Sequence, residues 1–180
     1  MTGQAIAMAA ASERVADDVT GRLGSLFDSH HQRLYRLARR LARGSEDARD
    51  LVQETFLRAA RSPGSIPEGA SREEAWLVRV LVNICRDRWR KAAVRTRAHA
   101  YEVPPDVSGD NPESAVLARA TVWRALDLLP PRRRAAIVLY ELEGTSIPAI
   151  AAMLGVSPVT VRWHLSRGRR ELAKVLGVEP

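Results

Sequence analysis

Cysteine is nearly absent, with Cys85 the only one in 180 residues. One thiol closes no internal disulfide and builds no cysteine-based metal site, so the chain fits a reducing compartment. Long apolar runs are missing as well. The opening "MTGQAIAMAAASERVADD" carries a short apolar patch with no basic residue before it, and no later run is long enough to span a bilayer. Residues 1–21 are therefore expected to form a disordered tail, and the protein to be cytoplasmic with no membrane insertion. There is no β-rich run and no internal repeat, which argues against sheet and solenoid architectures.

What is present is a 46% hydrophobic chain, enough for one ordinary core or two small ones, with 28 basic against 21 acidic residues. The formal charge of +7 and a pI near 10.6 favour a polyanionic partner. Apolar residues recur at three and four, the period of an all-α protein. Leu23, Leu26, Phe27, Leu34, Leu37, Ala38 and Leu41 trace one stripe that stops at Gly44, where a left-handed cap costs little. Ser45 caps a second helix, with Glu46 and Asp47 in its first turn and Ala48, Leu51, Val52, Thr55, Phe56 and Ala59 on its buried face. "RSPGSIPEGA" breaks it, and Ser71 with Glu74 has the spacing of a capping box opening a helix over Arg72–Val94.

From Thr96 to Asn111 the periodicity lapses into "TRAHAYEVPPDVSGDN", read as a flexible linker. Asn111 with Pro112 restarts helix as far as Leu129, and further helices are expected over Arg132–Glu143, Ile147–Leu154 and Pro158–Leu176. The expected architecture is two small helical domains, 22–95 and 112–177, joined by a linker at 96–111.

The last two helices have the chemistry of a helix-turn-helix. Ile147, Ile150, Ala151 and Leu154 pack one face, Gly155 turns the chain, and Val156 plugs the corner. Ser157 caps the next helix with Pro158 at its first position, and Val161 and Leu165 anchor it. The outward residues Ser157, Pro158, Thr160, Arg162, Trp163, Ser166, Arg167 and Arg170 are then candidates for a major groove and its phosphates.

On the helix from Arg72, the residues Arg79, Asn83, Arg86 and Arg90 share a narrow angular sector. Arginines hold phosphates, and an asparagine amide both donates to and accepts from a base edge; a plain solvated face fits the pattern equally well. The helix "SEDARDLVQETFLR" has the opposite charge, with Asp47, Asp50 and Glu54 on one face and Gln53 nearby. No histidine joins these carboxylates, so a metal site and catalysis are discounted, and no cofactor is expected. A solvated acidic face or a basic protein partner remain as readings.

Taken together, "SEDARDLVQETFLRAAR", "EEAWLVRVLVNICRDRWRK" and "LPPRRRAAIVLYELEGTSIPAIAAMLGVSPVTVRWHLSRGRREL" resemble the extracytoplasmic-function (ECF) group of bacterial sigma factors over roughly Leu26–Leu176. The resemblance implies a region 2 at 22–95 that binds core RNA polymerase and melts the −10 element. It implies a region 4 at 112–177 that reads the −35 element. By the same resemblance Arg79, Asn83, Arg86 and Arg90 face −10 DNA, and the eight outward residues of the helix-turn-helix face the −35 element. Asp47, Asp50, Gln53 and Glu54 dock on the clamp helices of the polymerase large subunit, whose flap is a further partner. Promoter DNA and an anti-sigma factor complete the expected partners, and no enzymatic activity is implied.

Two departures limit the transfer. The loop "SPGSIPEGAS" lacks the aromatic that relatives often place near the flipped-out −10 base, and Trp163 and His164 stand where relatives often have a small residue and an arginine. A LuxR-type regulator binding operators without polymerase is the nearest alternative. A resolvase-like enzyme would need a mixed α/β domain that the periodicity disfavours. A protein that only sequesters an anti-sigma factor is the third rival.

Overall fold

The computed structural model describes the backbone of residues 2–42, 44–98 and 121–177, with side chains over 20–42, 44–92 and 121–177. Among these residues all regular structure is helical. Helix α1 (Thr2–Leu41) buries Leu26, Leu34, Leu37, Ala38 and Leu41, the three-and-four stripe, and ends on Arg39 and Arg40, cations suited to a helix C-terminus. The helix runs back to Thr2, through the stretch expected as a disordered tail at 1–21. Alanine-rich sequence without proline favours helix even where no stripe marks it. Phe27 is a correction, 44% exposed beside the buried stripe.

Helix α2 (Ser45–Arg61) buries Ala48, Leu51, Val52, Thr55 and Ala59, and the Thr55 hydroxyl donates to Leu51 O at 2.7 Å. Gly44 is extended (φ −166°) and serves as the N-cap of α2 rather than as a left-handed end to α1. Ser45 is accordingly the first helical residue, and no side chain caps the helix. A short turn at Pro63–Ser65 tucks Ile66 into the core before α3 (Ala70–Ala98) begins. Its start is set by Gly69 at φ +99°, whose carbonyl accepts from the N–H groups of Arg72 and Glu73 at 2.9 Å each. No bond between Ser71 and Glu74 closes a capping box, and Glu74 instead binds Arg33 of α1. Leu77, Val78, Leu81, Val82 and Ile84 form the buried face of α3.

The expected linker at 96–111 is helical as far as Ala98; its remainder and the start of the next helix lie outside the described residues. Helix α4 (121–127) contributes Ala125 and Leu126, and Leu129 follows before the Pro130–Pro131 break. Helix α5 (Pro131–Ile137) runs directly into a π-helical turn at Val138–Leu142, so the helix expected over Arg132–Glu143 is present with a widened last turn. Helices α6 (Ile147–Leu154) and α7 (Pro158–Leu176) have the expected bounds.

Gly155 at φ +64° closes α6 with its N–H on Ala152 O, while Val156 N–H reaches back to Ala151 O at 3.1 Å, a Schellman end. At Gly168 of α7 an added Cβ would sit 2.9 Å from Ile137 Cγ1, so α5 and α7 cross at a point where only glycine fits without displacement. The two helical units are packed on one another: α6 and α5 lie against α3, and Leu41, Leu81, Leu139 and Ile150 belong to one contiguous core.

Candidate nucleic-acid interface

Ser157 caps α7 through Oγ, which accepts from Thr160 N–H at 3.2 Å and lies 2.9 Å from Thr160 Oγ1. That cap and the buried Val161 and Leu165 fix the roll of the helix. Arg162, Trp163, Ser166, Arg167 and Arg170 are exposed together with Ser157 and Pro158, and Thr160 is half-buried. Arg167 Nε is held 3.2 Å from Glu171 Oε1, and Arg170 Nε donates weakly to Ser166 O at 3.4 Å.

Trp163 is 52% exposed, with the guanidinium of Arg133 5.4 Å from its ring centre and the ring of His164 edge-on at 5.0 Å. Arg133 itself pairs with Glu171 Oε2 at 2.5 Å. A cation over an indole beside a basic helix is a surface suited to sugar-phosphate and base contact. Arg133 was not among the sequence candidates, because it comes from α5 and reaches α7 only through packing. Burial, and then the charges of Arg133 and Arg132, hold His164 below the usual imidazole range, so it stands neutral beside the exposed face.

The stripe on α3 is not uniform. Arg79 Nη2 donates to Ala152 O of α6 at 2.6 Å. Asn83 is half-buried in a shallow hollow of about 300 Å³, together with Arg58 and Arg61 of α2, Ser62 and Ser65 of the connecting loop, and Trp76 and Val80. Arg86 is half-buried with Nη2 3.3 Å from Asp87 Oδ1, and Arg90 is exposed. The structure thus joins Asn83 to two arginines the sequence reading had not placed with it. Trp76 of α3 lines the same hollow.

On α2, Asp47, Asp50 and Gln53 are exposed, and Glu54 pairs with Arg58 at 3.0 Å. They do not form one tight patch. Asp47 borders a cavity of about 410 Å³ with Cys85, Trp89, Pro131 and Arg134. Gln53 lies on the other side, at an open groove of about 870 Å³ between α1 and α2. Phe27, Tyr35, Phe56 and Leu57 line that groove, with Phe27 stacked 4.4 Å from His31. An exposed apolar groove of this kind, edged by Arg49 and Gln53, has the composition of a protein docking face. His30 is buried and faces Glu73 at 3.5 Å. Among the described residues no three His, Cys, Asp or Glu side chains group as metal ligands. No described helix is long and apolar enough to cross a membrane.

Comparison with known proteins agrees with this layout. Residues 26–95 match Sigma-70 region 2, and residues 119–172 match Sigma-70 region 4. The ECF RNA polymerase sigma factor SigM of Mycobacterium tuberculosis is 41% identical over 152 residues, covering 84% of this chain and 76% of the relative. RNA polymerase sigma factor CarQ of Myxococcus xanthus is 32% identical over 166 residues, covering 92% and 95%. Two solved structures are similar across both units. The sigma factor RpoE of Bartonella quintana, in complex with the anti-sigma factor NepR, has a TM-score of 0.64 at 26% identity, covering 91% of this chain and 99% of that one. CnrH in complex with the cytosolic domain of CnrY has a TM-score of 0.60 at 27% identity, covering 92% and 96%. A helix-turn-helix with an exposed basic face, a second polar helix above an arginine-lined hollow, both sigma regions in order and 41% identity to SigM carry one conclusion: the chain belongs to the ECF group of bacterial RNA polymerase sigma factors.

Proposed function

We infer that the chain binds core RNA polymerase and directs promoter-specific transcription initiation. The observation that carries this is that one chain holds two separate DNA-suited helices, α7 and α3, together with exposed carboxylates on α2 and an open apolar groove between α1 and α2. Residues 22–95 act as region 2 and 112–177 as region 4, with 96–111 between them. Helix α7 enters the major groove of the −35 element, where Arg162 is free to reach a base edge while Ser157, Thr160, Arg167 and Arg170 hold phosphates. Trp163, backed by Arg133, packs along the same edge of the DNA.

The −10 element is opened over α3. Asn83 offers an amide to an unstacked base, Arg58, Arg61, Arg86 and Arg90 line the path of the strand, and Trp76 gives the hollow an apolar wall. Support for this reading is the joint position of Asn83, Trp76 and the two α2 arginines in one hollow. Polymerase docks on α2 through Asp47, Asp50, Gln53 and Glu54, and the groove at Phe27 and Leu57 extends that contact in apolar terms. The large-subunit clamp helices meet this face, and the flap meets region 4.

An anti-sigma factor is a further partner, since the similar solved structures are sigma factors bound to such proteins. The protein works in the cytoplasm as an initiation factor and not as an enzyme, without a cofactor. A LuxR-type regulator would account for α6 and α7 and leave α1–α3 without a role. Run-off transcription with core polymerase, on genomic fragments the protein occupies in cells, tests the reading. Initiation is expected only when the protein is added; equal transcription without it would overturn the assignment.

A further inference from the structure

Val159 is the most exposed large apolar side chain among the described residues, at 70%, and it was not among the candidates for DNA contact. It stands one turn before Trp163, which is 52% exposed, so α7 carries a short apolar ridge. At about 100° of turn per residue, the two lie roughly 150° and 165° from the mean direction of the buried Val161, Leu165 and Gly168. The ridge is therefore the crest of the face that the helix turns away from its own core. Arg162, Arg167 and Arg170 are exposed around it, and Glu171, the one acidic residue of α7, is held by Arg133 and Arg167. The indole is fixed in place by the Arg133 guanidinium, 5.4 Å from its centre, and by the His164 ring set edge-on at 5.0 Å. A ring so held gives up little freedom when it meets a partner. A collar of cations around an apolar crest fits a polyanion that itself presents an apolar group.

We propose that Val159 and Trp163 read thymine: each packs on the C5-methyl group of a thymine in the major groove of the −35 element, the two thymines lying within two base-pair steps of each other on either strand. The inference rests on the sigma-factor reading of α7 and adds its base preference. In the major groove guanine shows two acceptors, cytosine a donor, adenine one of each, and thymine an acceptor beside a methyl group. An indole or isopropyl group laid on a donor or acceptor strips its water and returns no hydrogen bond. Laid on the methyl, it takes two apolar surfaces out of water together. Cβ atoms one helical turn apart are separated by about 6 Å and successive base pairs by about 3.4 Å, which sets the spacing of the two thymines.

Holoenzyme made from the full chain and core polymerase first selects −35 sequences, from a promoter fragment the protein occupies in cells with that segment randomised. Thymine is expected at two positions within two steps. Deoxyuridine then replaces each thymine in turn, which deletes one methyl group and leaves the pairing and the O4 acceptor intact. Wild-type holoenzyme is expected to bind each uracil duplex roughly threefold to fivefold more weakly, the share of one buried methyl group. Trp163→Ala is expected to bring the thymine-to-uracil affinity ratio to one at one position, and Val159→Ser at the other. The slope of affinity against salt stays at the wild-type value in both, because no phosphate contact is lost. Equal binding of thymine and uracil duplexes by the wild type would overturn the proposal with no variant involved. A selected −35 element without thymine, or a ratio that survives both substitutions, would do the same. Weaker binding of the two variants to core polymerase in the absence of DNA would make the crest a protein contact and likewise sink the thymine assignment. A holoenzyme that selects no −35 sequence and initiates nowhere refutes the sigma-factor reading itself, whereas normal selection and initiation without a methyl effect refutes the thymine assignment alone.

Discussion

Arg134 on α5 donates from Nη1 to the main-chain oxygen of Leu41, the last residue of α1, across 2.9 Å of space and 93 positions of sequence. The same nitrogen lies 2.8 Å from Asp127 Oδ1, and the side chain is only 4% exposed. One buried guanidinium thus closes the end of a first-unit helix and ties α5 to the residue preceding the Leu128–Pro130 break. Its removal leaves a helix-terminal carbonyl short of a donor and a carboxylate without its cation. Arg134→Leu is expected to destabilise the chain by roughly 2–4 kcal/mol. Urea unfolding measures it; an unshifted midpoint would show that the contact contributes nothing.

Gly168 gives a packing prediction in which two effects oppose. Alanine in a helix interior gains about 0.5–1 kcal/mol over glycine. Here the new methyl would stand 2.9 Å from Ile137 Cγ1 and 3.1 Å from Arg133 Cγ, and overpacking of this kind costs about 1–3 kcal/mol. Ile137 is buried and has little room to move, so the steric term wins. Gly168→Ala should lower the melting temperature, and a raised one would mean that α5 and α7 are not in tight contact.

His164 makes stability depend on pH. Its folded value is lowered from the usual 6.5, by burial and then by Arg133 and Arg132, so the unfolded chain takes up the proton first as pH falls. Stability from this site is whole above about pH 6.5 and is lost as pH drops from there towards the lowered folded value. Melting curves at pH 7.5 and 5.5 should show a loss that His164→Gln reduces. Equal slopes for the two proteins would remove the histidine from the account.

The acidic face of α2 is tested by charge reversal. Asp50 is exposed and Glu54 is engaged only by Arg58 in its own helix, so neither supports the fold across units. Asp50→Lys with Glu54→Lys should weaken core polymerase binding by tenfold or more and leave thermal stability within about 0.5 kcal/mol of the wild type. Unchanged affinity in a binding titration would reduce the face to a solvated surface.

Division of labour between the two DNA helices is the remaining prediction. Arg162→Ala or Arg167→Ala should impair closed-complex formation on duplex promoter, by about 1–3 kcal/mol if a bidentate base contact is lost, and be relieved on a template with a pre-melted −10 bubble. Asn83→Ala should bind duplex and open it poorly. Permanganate footprinting on both templates distinguishes them, and normal opening by the Asn83 variant would remove that residue from the melting site.

The helix-turn-helix was legible because its boundaries are written in local chemistry. Gly155 supplies the left-handed residue, Ser157 the cap and Pro158 the first-turn φ, and α6 and α7 follow with their expected bounds. The three-and-four stripes likewise located the cores of α1, α2 and α3. Starts of helices were less legible. Gly44 and Gly69 took the positions that Ser45 and Ser71 were expected to hold, since backbone entry angles there are set by how the helices pack.

The functional faces divide in the same way. Spacing alone put Arg162, Trp163, Ser166, Arg167 and Arg170 on one exposed side, and the fold agrees because Val161, Leu165 and Gly168 are buried on the other. What α3 touches could not be read from α3. The bond from Arg79 to Ala152 O, the hollow that unites Asn83 with Arg58 and Arg61, the exposure of Phe27 and the need for glycine at 168 all depend on surfaces brought together from distant parts of the chain. Periodicity records which side of a helix turns inward, because burial acts on each turn alike. It holds no record of which partner waits there, because that is decided only when the helices cross and a particular carbonyl, ring or guanidinium falls within a few ångströms of its neighbour.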